Sequence, residues 1–198
     1  MGKIAVVNID MHGHVNPTLG LVAELVAAGH QVYFLGAEEF REAVERTGAK
    51  FIAYPTHIGK NIATTAQIQA EADAAGIAPP PELSTMKRGL EEFVQTFGPL
   101  NKELRALEPD VIVYDFVSLA SQIIADNLRI PSVKFYTTYA SNEHYDLMAQ
   151  SFAKREQPSP AELGQAQELI DQQCHAHGYR SPSLAQVMRR PAANNLVF

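Results

Sequence analysis

The chain has 198 residues, 46% hydrophobic and 19% charged, with a formal net charge of -6 at pH 7. This is the profile of one globular domain with a sizeable core, too short for two, and its scattered basic residues argue against a nucleic-acid surface. No apolar run reaches membrane-spanning length, no basic segment leads into a signal-like stretch, and the single Cys174 cannot close an internal disulfide, so a cytoplasmic protein without a membrane span is expected.

In chain order, Lys3 to Ile9 is β-branched and nearly uncharged, as suits a strand covered on both faces of a parallel sheet. The loop Asp10-Met11-His12-Gly13-His14-Val15 follows. Asn16 and Pro17 read as an N-cap and first helical residue, because Asn accepts from an orphan amide and Pro lacks only a donor that the first turn leaves unused. Leu19, Val22, Ala23 and Val26 recur at helical spacing, Gly29 offers a left-handed helix end, and Gln31 to Leu35 is the second strand. The first turn lacks the G-x-G-x-x-G pattern that lets a backbone approach a pyrophosphate, which counts against a Rossmann oxidoreductase. It carries imidazoles instead. At the positive end of a helix, imidazolium is disfavoured, so His14 suits a general base.

Glu38, Glu39 and Phe40 open a second helix that Thr47-Gly48 closes, and Lys50 to Tyr54 is the third strand. Short connections imply right-handed crossovers. From Pro55 to Thr85 regularity fails, and a long irregular excursion is expected. Leu90, Phe93, Val94, Phe97, Leu100, Leu104 and Leu107 form a helical stripe that Gly98-Pro99 should kink or divide. Val111 to Tyr114 is a fourth, buried strand, with Asp115 directly after it. Phe116, Ala120, Ile123 and Ile124 place a covering helix, and Ser132 to Tyr136 is the fifth strand, trailed by Thr137, Thr138 and Ser141. Polar helices broken by Pro158, Pro160, Gly178 and Pro182 lead to Asn195-Leu196-Val197-Phe198, which reads as an unfinished strand and suggests the front part of a longer protein.

The expected architecture is α/β, a doubly wound parallel-sheet Rossmann-like domain. In strand order 3-2-1-4-5 the loops after strands 1 and 4 lie side by side at the switch point. That brings His14 and Asp115 together, the acid accepting from one ring nitrogen while the other faces a substrate. Plainer roles stay open: a packed His14, an Asp115 that caps the next helix, His12 as the base, Asp10 as the partner, Thr137 and Ser141 as turn hydroxyls. Tyr54, Phe93, Phe97, Phe135 and Tyr139 are core residues or the wall of an apolar pocket. His12-x-His14 and His175-x-His177 beside Cys174 lack a zinc ligand spacing, so no metal is expected.

The run His12-Gly13-His14-Val15-Asn16-Pro17 with Leu19, Gly29-His30 and Val32, together with Pro109 to Asp115 and Phe135-Tyr136-Thr137, resembles the amino-terminal domain of GT-B glycosyltransferases, especially the macrolide and plant UDP-glycosyltransferase group. The resemblance implies inverting transfer of a sugar from a UDP-sugar to a hydroxyl of a small lipophilic acceptor, with no cofactor beyond that donor substrate. It implies His14 as base with Asp115 as its partner and Thr137 toward the donor; Ser141 is expected beside Thr137 at the donor, and His12, Asn16, Phe93 and Tyr139 toward the acceptor. Residues 1–198 would then be the acceptor-binding domain, with the donor-binding domain beginning just beyond Phe198 and absent from this chain. The isolated chain would be inactive. The alternative is a non-catalytic acceptor-binding module, or a subunit that needs a separate donor-binding chain.

Overall fold

The computed structural model describes residues 1–76, 85–137, 159–189 and 195–197. A parallel sheet of six strands runs in the order β3-β2-β1-β4-β5-β6. In chain order the elements are β1 (Lys3–Val7), α1 (His12–Ala27), β2 (Gln31–Gly36), a 3-10 turn (Glu38–Phe40), α2 (Arg41–Glu45) and β3 (Lys50–Ala53). There follow α3 (Ile58–Ala75), α4 (Thr85–Leu107), β4 (Val111–Asp115), α5 (Leu119–Leu128), β5 (Ser132–Tyr136), α6 (Pro160–Ala176), α7 (Leu184–Arg189) and β6 (Asn195–Val197).

The alternation of side chains along a strand divides the core into two layers. Ala5, Val7, Leu35, Ile112 and Tyr114 meet Phe93, Phe97, Leu100 and Leu104 of α4, Ile123 and Ile124 of α5, and Ile170 and Cys174 of α6. Ile4, Val6, Val32, Phe34, Val113 and Phe135 meet Val15 and Val22 of α1 and Val44 of α2 on the opposite face. Strands β1 and β4 are thus covered on both sides, which is why their sequences are continuous apolar runs rather than alternating ones. This is the doubly wound Rossmann-like α/β architecture that the strand and helix pattern predicts. No helix among the described residues is long and apolar enough to cross a membrane.

Three local expectations differ from the structure. Helix α1 begins at His12, so Asn16 is not its cap and Pro17 lies inside it; Met11 stands at the cap position with no side-chain hydrogen bond. Buried Asn8 and Thr18 compensate for this irregular first turn: Asn8 Nδ2 and the Thr18 hydroxyl both donate to the His14 carbonyl, at 3.1 and 2.7 Å. The Ala- and Gln-rich stretch expected to be irregular forms α3. Ala and Gln favour helix even without an apolar stripe, and the missing stripe hid it.

Helix α4 continues through Gly98 and Pro99 as one element, because buried residues on both sides, Phe97 before and Leu100 after, belong to one packed stripe. The apolar end of the chain forms the expected strand: β6 pairs with β5 in the register Lys134↔Asn195 and Tyr136↔Val197. Elsewhere the local signals hold. Gly29 and Gly48 take φ of +85° and +87° at helix ends. Ser159 and Glu162 form a reciprocal cap on α6 with Pro160 at its start, so that proline opens a helix rather than breaking one.

Leu100 is completely buried between the sheet and its helical cover. Leu100→Ala is expected to destabilise the domain by about 2–5 kcal/mol, read as a lower urea midpoint with an unchanged slope.

Candidate functional site

The strand order reverses direction between β1 and β4, whose ends are in register at Val7↔Tyr114. A crevice therefore opens where the connection from β1 leaves to one side and that from β4 to the other. His14 enters it from the first turn of α1, and Asp115 from the last residue of β4.

His14 Nδ1 lies 2.7 Å from Asp115 Oδ2, with 13% of the imidazole and none of the carboxylate exposed. The other oxygen, Asp115 Oδ1, accepts the Val117 amide at 2.9 Å. With Asp115 ionised, Nδ1 donates to Oδ2 and Nε2 carries the lone pair. Asp115 therefore fills both of its expected roles at once, partner of the ring and anchor of the turn leading into α5. The Thr137 hydroxyl is 3.5 Å from Nδ1, too long to compete with the carboxylate.

A stack of rings fixes the plane of the imidazole. His14 lies over Phe116, with centroids 5.7 Å apart and planes at 19°, and Phe116 lies over Tyr136 at 5.2 Å and 14°. With one ring edge bonded and one face stacked, the remaining freedom of His14 is small. Sequence reasoning assigned Phe116 to the covering helix and overlooked Asn8 and Thr18. Phe116 stands before α5 begins, a boundary that periodicity does not resolve. An Asn and a Thr at the two sides of a strand-to-helix turn were the available signal for the pair that holds the His14 carbonyl.

Other expected site residues are not gathered here. His12 and Asn16 are exposed, one helical turn apart on a face of α1 roughly 200° around the axis from His14. The His12 ring packs edge-on against Phe40 at 4.9 Å. Phe93 is 3% exposed within the core, against Phe97, so it offers no surface to an acceptor. Tyr54, Phe97 and Phe135 are buried in the same way. Tyr139 and Ser141 lie outside the described residues. Asp10 is not a partner of His14: its carboxylate accepts the Gly59 amide at 2.6 Å and the Lys60 amide at 3.2 Å, at the start of α3.

A second buried acid lies nearby. Both Glu92 oxygens accept the His57 amide, at 3.1 and 3.0 Å. Burial pushes the Glu92 carboxyl above its ordinary value, helped by the negative charge of Asp10 and opposed by the Thr56 hydroxyl and the His57 amide. That hydroxyl is itself buried and has no hydrogen bond of good geometry among the described residues. Burial also pushes the Tyr54 phenol up, with Glu92, Asp115 and Asp10 adding to the effect. A crevice of about 390 Å³ between the ends of β2 and β3 is lined by Glu38, Glu39, Tyr54, Thr56, His57 and Lys60, and by neither His14 nor Asp115.

An acid whose pKa is higher folded than unfolded binds its proton more tightly in the native state. Its contribution to stability is complete below the unfolded value and is lost as the pH rises through the folded one. Glu92→Gln, which keeps a carbonyl acceptor for His57, is therefore expected to gain stability relative to the parent between pH 4.5 and neutrality. Urea denaturation at both ends of that window checks the sign.

No protein-family profile matches the chain. Among curated proteins, the chain is 33% identical over 160 residues to the NDP-glycosyltransferase YjiC of Bacillus subtilis (strain 168), a match covering 81% of this chain and 38% of that protein. It is 28% identical over 158 residues to the demethyllactenocin mycarosyltransferase of Streptomyces fradiae, covering 74% of this chain and 32% of that protein. Among solved structures, the calicheamicin glycosyltransferase CalG4 aligns with a TM-score of 0.79 at 22% identity, over 100% of this chain and 48% of that one. That last likeness is one of fold. The chain spans about a third to a half of the length of the relatives it matches, and corresponds to their amino-terminal part. These relatives are glycosyltransferases, in agreement with the resemblance of the three motifs.

Proposed function

We propose that this relative of NDP- and UDP-glycosyltransferases is the acceptor-binding domain of an inverting enzyme that moves a sugar from a UDP-sugar to a hydroxyl of a small lipophilic acceptor. The observation that carries the reading is the 2.7 Å bond between His14 Nδ1 and a fully buried Asp115 carboxylate, made by a ring that keeps some exposure. Such a bond fixes the tautomer, leaves Nε2 as the proton acceptor and compensates the charge that appears when the ring is protonated.

In the proposed step the acceptor hydroxyl gives its proton to His14 Nε2 as its oxygen attacks the anomeric carbon from the face opposite the diphosphate. The new carbon–oxygen bond forms as the bond to the diphosphate oxygen breaks, and the nucleoside diphosphate leaves with that electron pair. Configuration at the anomeric carbon inverts. Asp115 keeps its own negative charge throughout and stabilises the imidazolium. On this reading the protein needs no metal or organic cofactor, its partners are the acceptor and the sugar nucleotide, and a donor-binding domain or chain holds the nucleotide. The lone Cys174, on the buried face of α6, is consistent with a reducing cytoplasm. Thr137, beside the ring at the end of β5, is placed toward the donor in this scheme.

In the complete enzyme, His14→Ala is expected to lower turnover by about 10²–10⁴-fold, with the protein still folded by circular dichroism. A variant that turns over like the parent refutes the role. Asp115→Asn should lower kcat by a similar order, because an amide in place of the carboxylate can donate to Nδ1 and trap the wrong tautomer. Steady-state rates with saturating UDP-sugar and a flavonoid or macrolide acceptor provide the measurement.

A further inference from the structure

Three amides at the start of α3 are held from outside the helix. The helix has no acidic residue in its first turn, and the three amides at its beginning are bound by acids from elsewhere: His57 by Glu92 of α4, Gly59 and Lys60 by Asp10 of the β1–α1 loop. Both acids are buried, at 7% and 5% exposure. A carboxylate over the first turn satisfies orphan donors and faces the positive end of the helix dipole, so this docking is favourable on two counts.

The contact is also too close for any side chain at residue 59. A Cβ built on Gly59 would lie 2.2 Å from the Asp10 carbonyl oxygen and 2.6 Å from Met11 Cγ. Along the rest of α3, Ala66, Gln67, Ala70, Glu71 and Asp73 are exposed. The anchored end is thus where α3 meets the residues that lead to the site. Met11, pressed by Gly59, is also the residue from which α1 starts: its carbonyl accepts the His14 amide and the Val15 amide, both at 2.9 Å. Asp10 and Met11 are therefore shared by two helix starts, one docked by side chain and close packing, the other by main-chain hydrogen bonds.

We propose that Asp10 is a positioning residue: by capping α3 from the loop that launches α1, it holds the turn that carries His14, so the placement of the imidazole depends on α3 being docked. This rests on the proposed role of His14 for its kinetic consequence, though not for its structural one. Asp10 acts through Met11 and the first turn of α1, and touches neither substrate nor the reacting atoms. It follows that changes along α3 reach the base without contacting it.

The test uses Asp10→Ala, Asp10→Asn and Gly59→Ala in the complete enzyme, with Leu100→Ala as a variant weakened elsewhere. Amide hydrogen exchange at Gly59 and Lys60 is expected to speed up by at least about tenfold in Asp10→Ala, and partly to recover in Asp10→Asn, whose amide oxygen still accepts. The downfield proton resonance of His14 Nδ1 is expected to shift or broaden in Asp10→Ala and Gly59→Ala, while Leu100→Ala leaves it in place. The kcat should fall about tenfold or more, as misplacement of a reacting group does, with the donor KM unchanged. Should Asp10→Ala fail to fold, Asp10→Asn and Gly59→Ala carry the same comparison. Unchanged exchange at Gly59 and Lys60 overturns the proposal, and so does a loosened α3 that leaves the His14 resonance and kcat as in the parent. If His14→Ala keeps its turnover, the functional reading falls while the exchange and resonance measurements still decide this one.

Discussion

A proton held between an imidazole nitrogen and a carboxylate without solvent access is the constraint on which the rest of this site depends. Asp115 has none of its side chain exposed, so its charge must be met by hydrogen bonds within the protein. It receives two, one from Val117 and one from His14. Each requires a particular backbone path: β4 must end at residue 115 with a turn that brings the 117 amide back, and α1 must begin early enough to put residue 14 in its first turn. The sheet order meets both conditions by setting β1 beside β4. The doubly wound topology thus converts a separation of 101 residues into a 2.7 Å contact.

The ring is restrained by more than its acid. Phe116 and Tyr136 stack behind it, and Asn8 and Thr18 hold its main-chain carbonyl from the end of β1. Asn8 also accepts the Ile9 amide at 2.8 Å, so its side chain is satisfied on both ends while buried. The same turn carries Pro17 inside α1. Proline removes the amide that would bond to Gly13, in the turn where the regular ladder is already supplemented by side chains. The helix is capped at Met11 rather than at Asn16, and no capping rule applied to Asn16-Pro17 could foresee it.

What was legible in the residues followed from short-range chemistry with a clear period or a required backbone angle. The apolar runs of β1, β2, β4 and β5, the left-handed glycines at 29 and 48, and the order of strands and helices all fall in this class. His14 and Asp115 were legible too, because the switch-point rule needs only the order of the strands. The pair of acids clamping α3 was not. Their partners are main-chain amides of residues 57, 59 and 60, and amides carry no sequence signature. Gly59 alone left a trace, and a glycine in a helical first turn is ambiguous until its neighbours are seen. Phe93 misled for the opposite reason: an aromatic at helical spacing serves a pocket or a core equally well, and here the second layer of the sheet claims it.

The two polar clusters at the carboxyl edge of the sheet differ in what they leave unsatisfied. At Asp115 each oxygen has a donor, and the unused lone pair of the assembly lies on His14 Nε2, on a ring with 13% exposure. At Glu92 both oxygens share one amide, burial raises the carboxyl above its ordinary value, and the neighbouring Thr56 hydroxyl makes no well-formed bond among the described residues. The first arrangement holds an imidazole in a fixed plane while leaving the ring partly exposed. The second spends its charge on holding a backbone segment and gives no atom to a substrate. Burial and the like charge of Asp10 make Glu92 costly to ionise, while its bonds to the His57 amide define the seating of α3. A helix start held by buried acids has fewer alternative seatings, since each displaced amide would strand a carboxylate. Specific seating of α3, obtained at some expense in stability, then gives the loop beneath it one position, and the imidazole rising from that loop one direction.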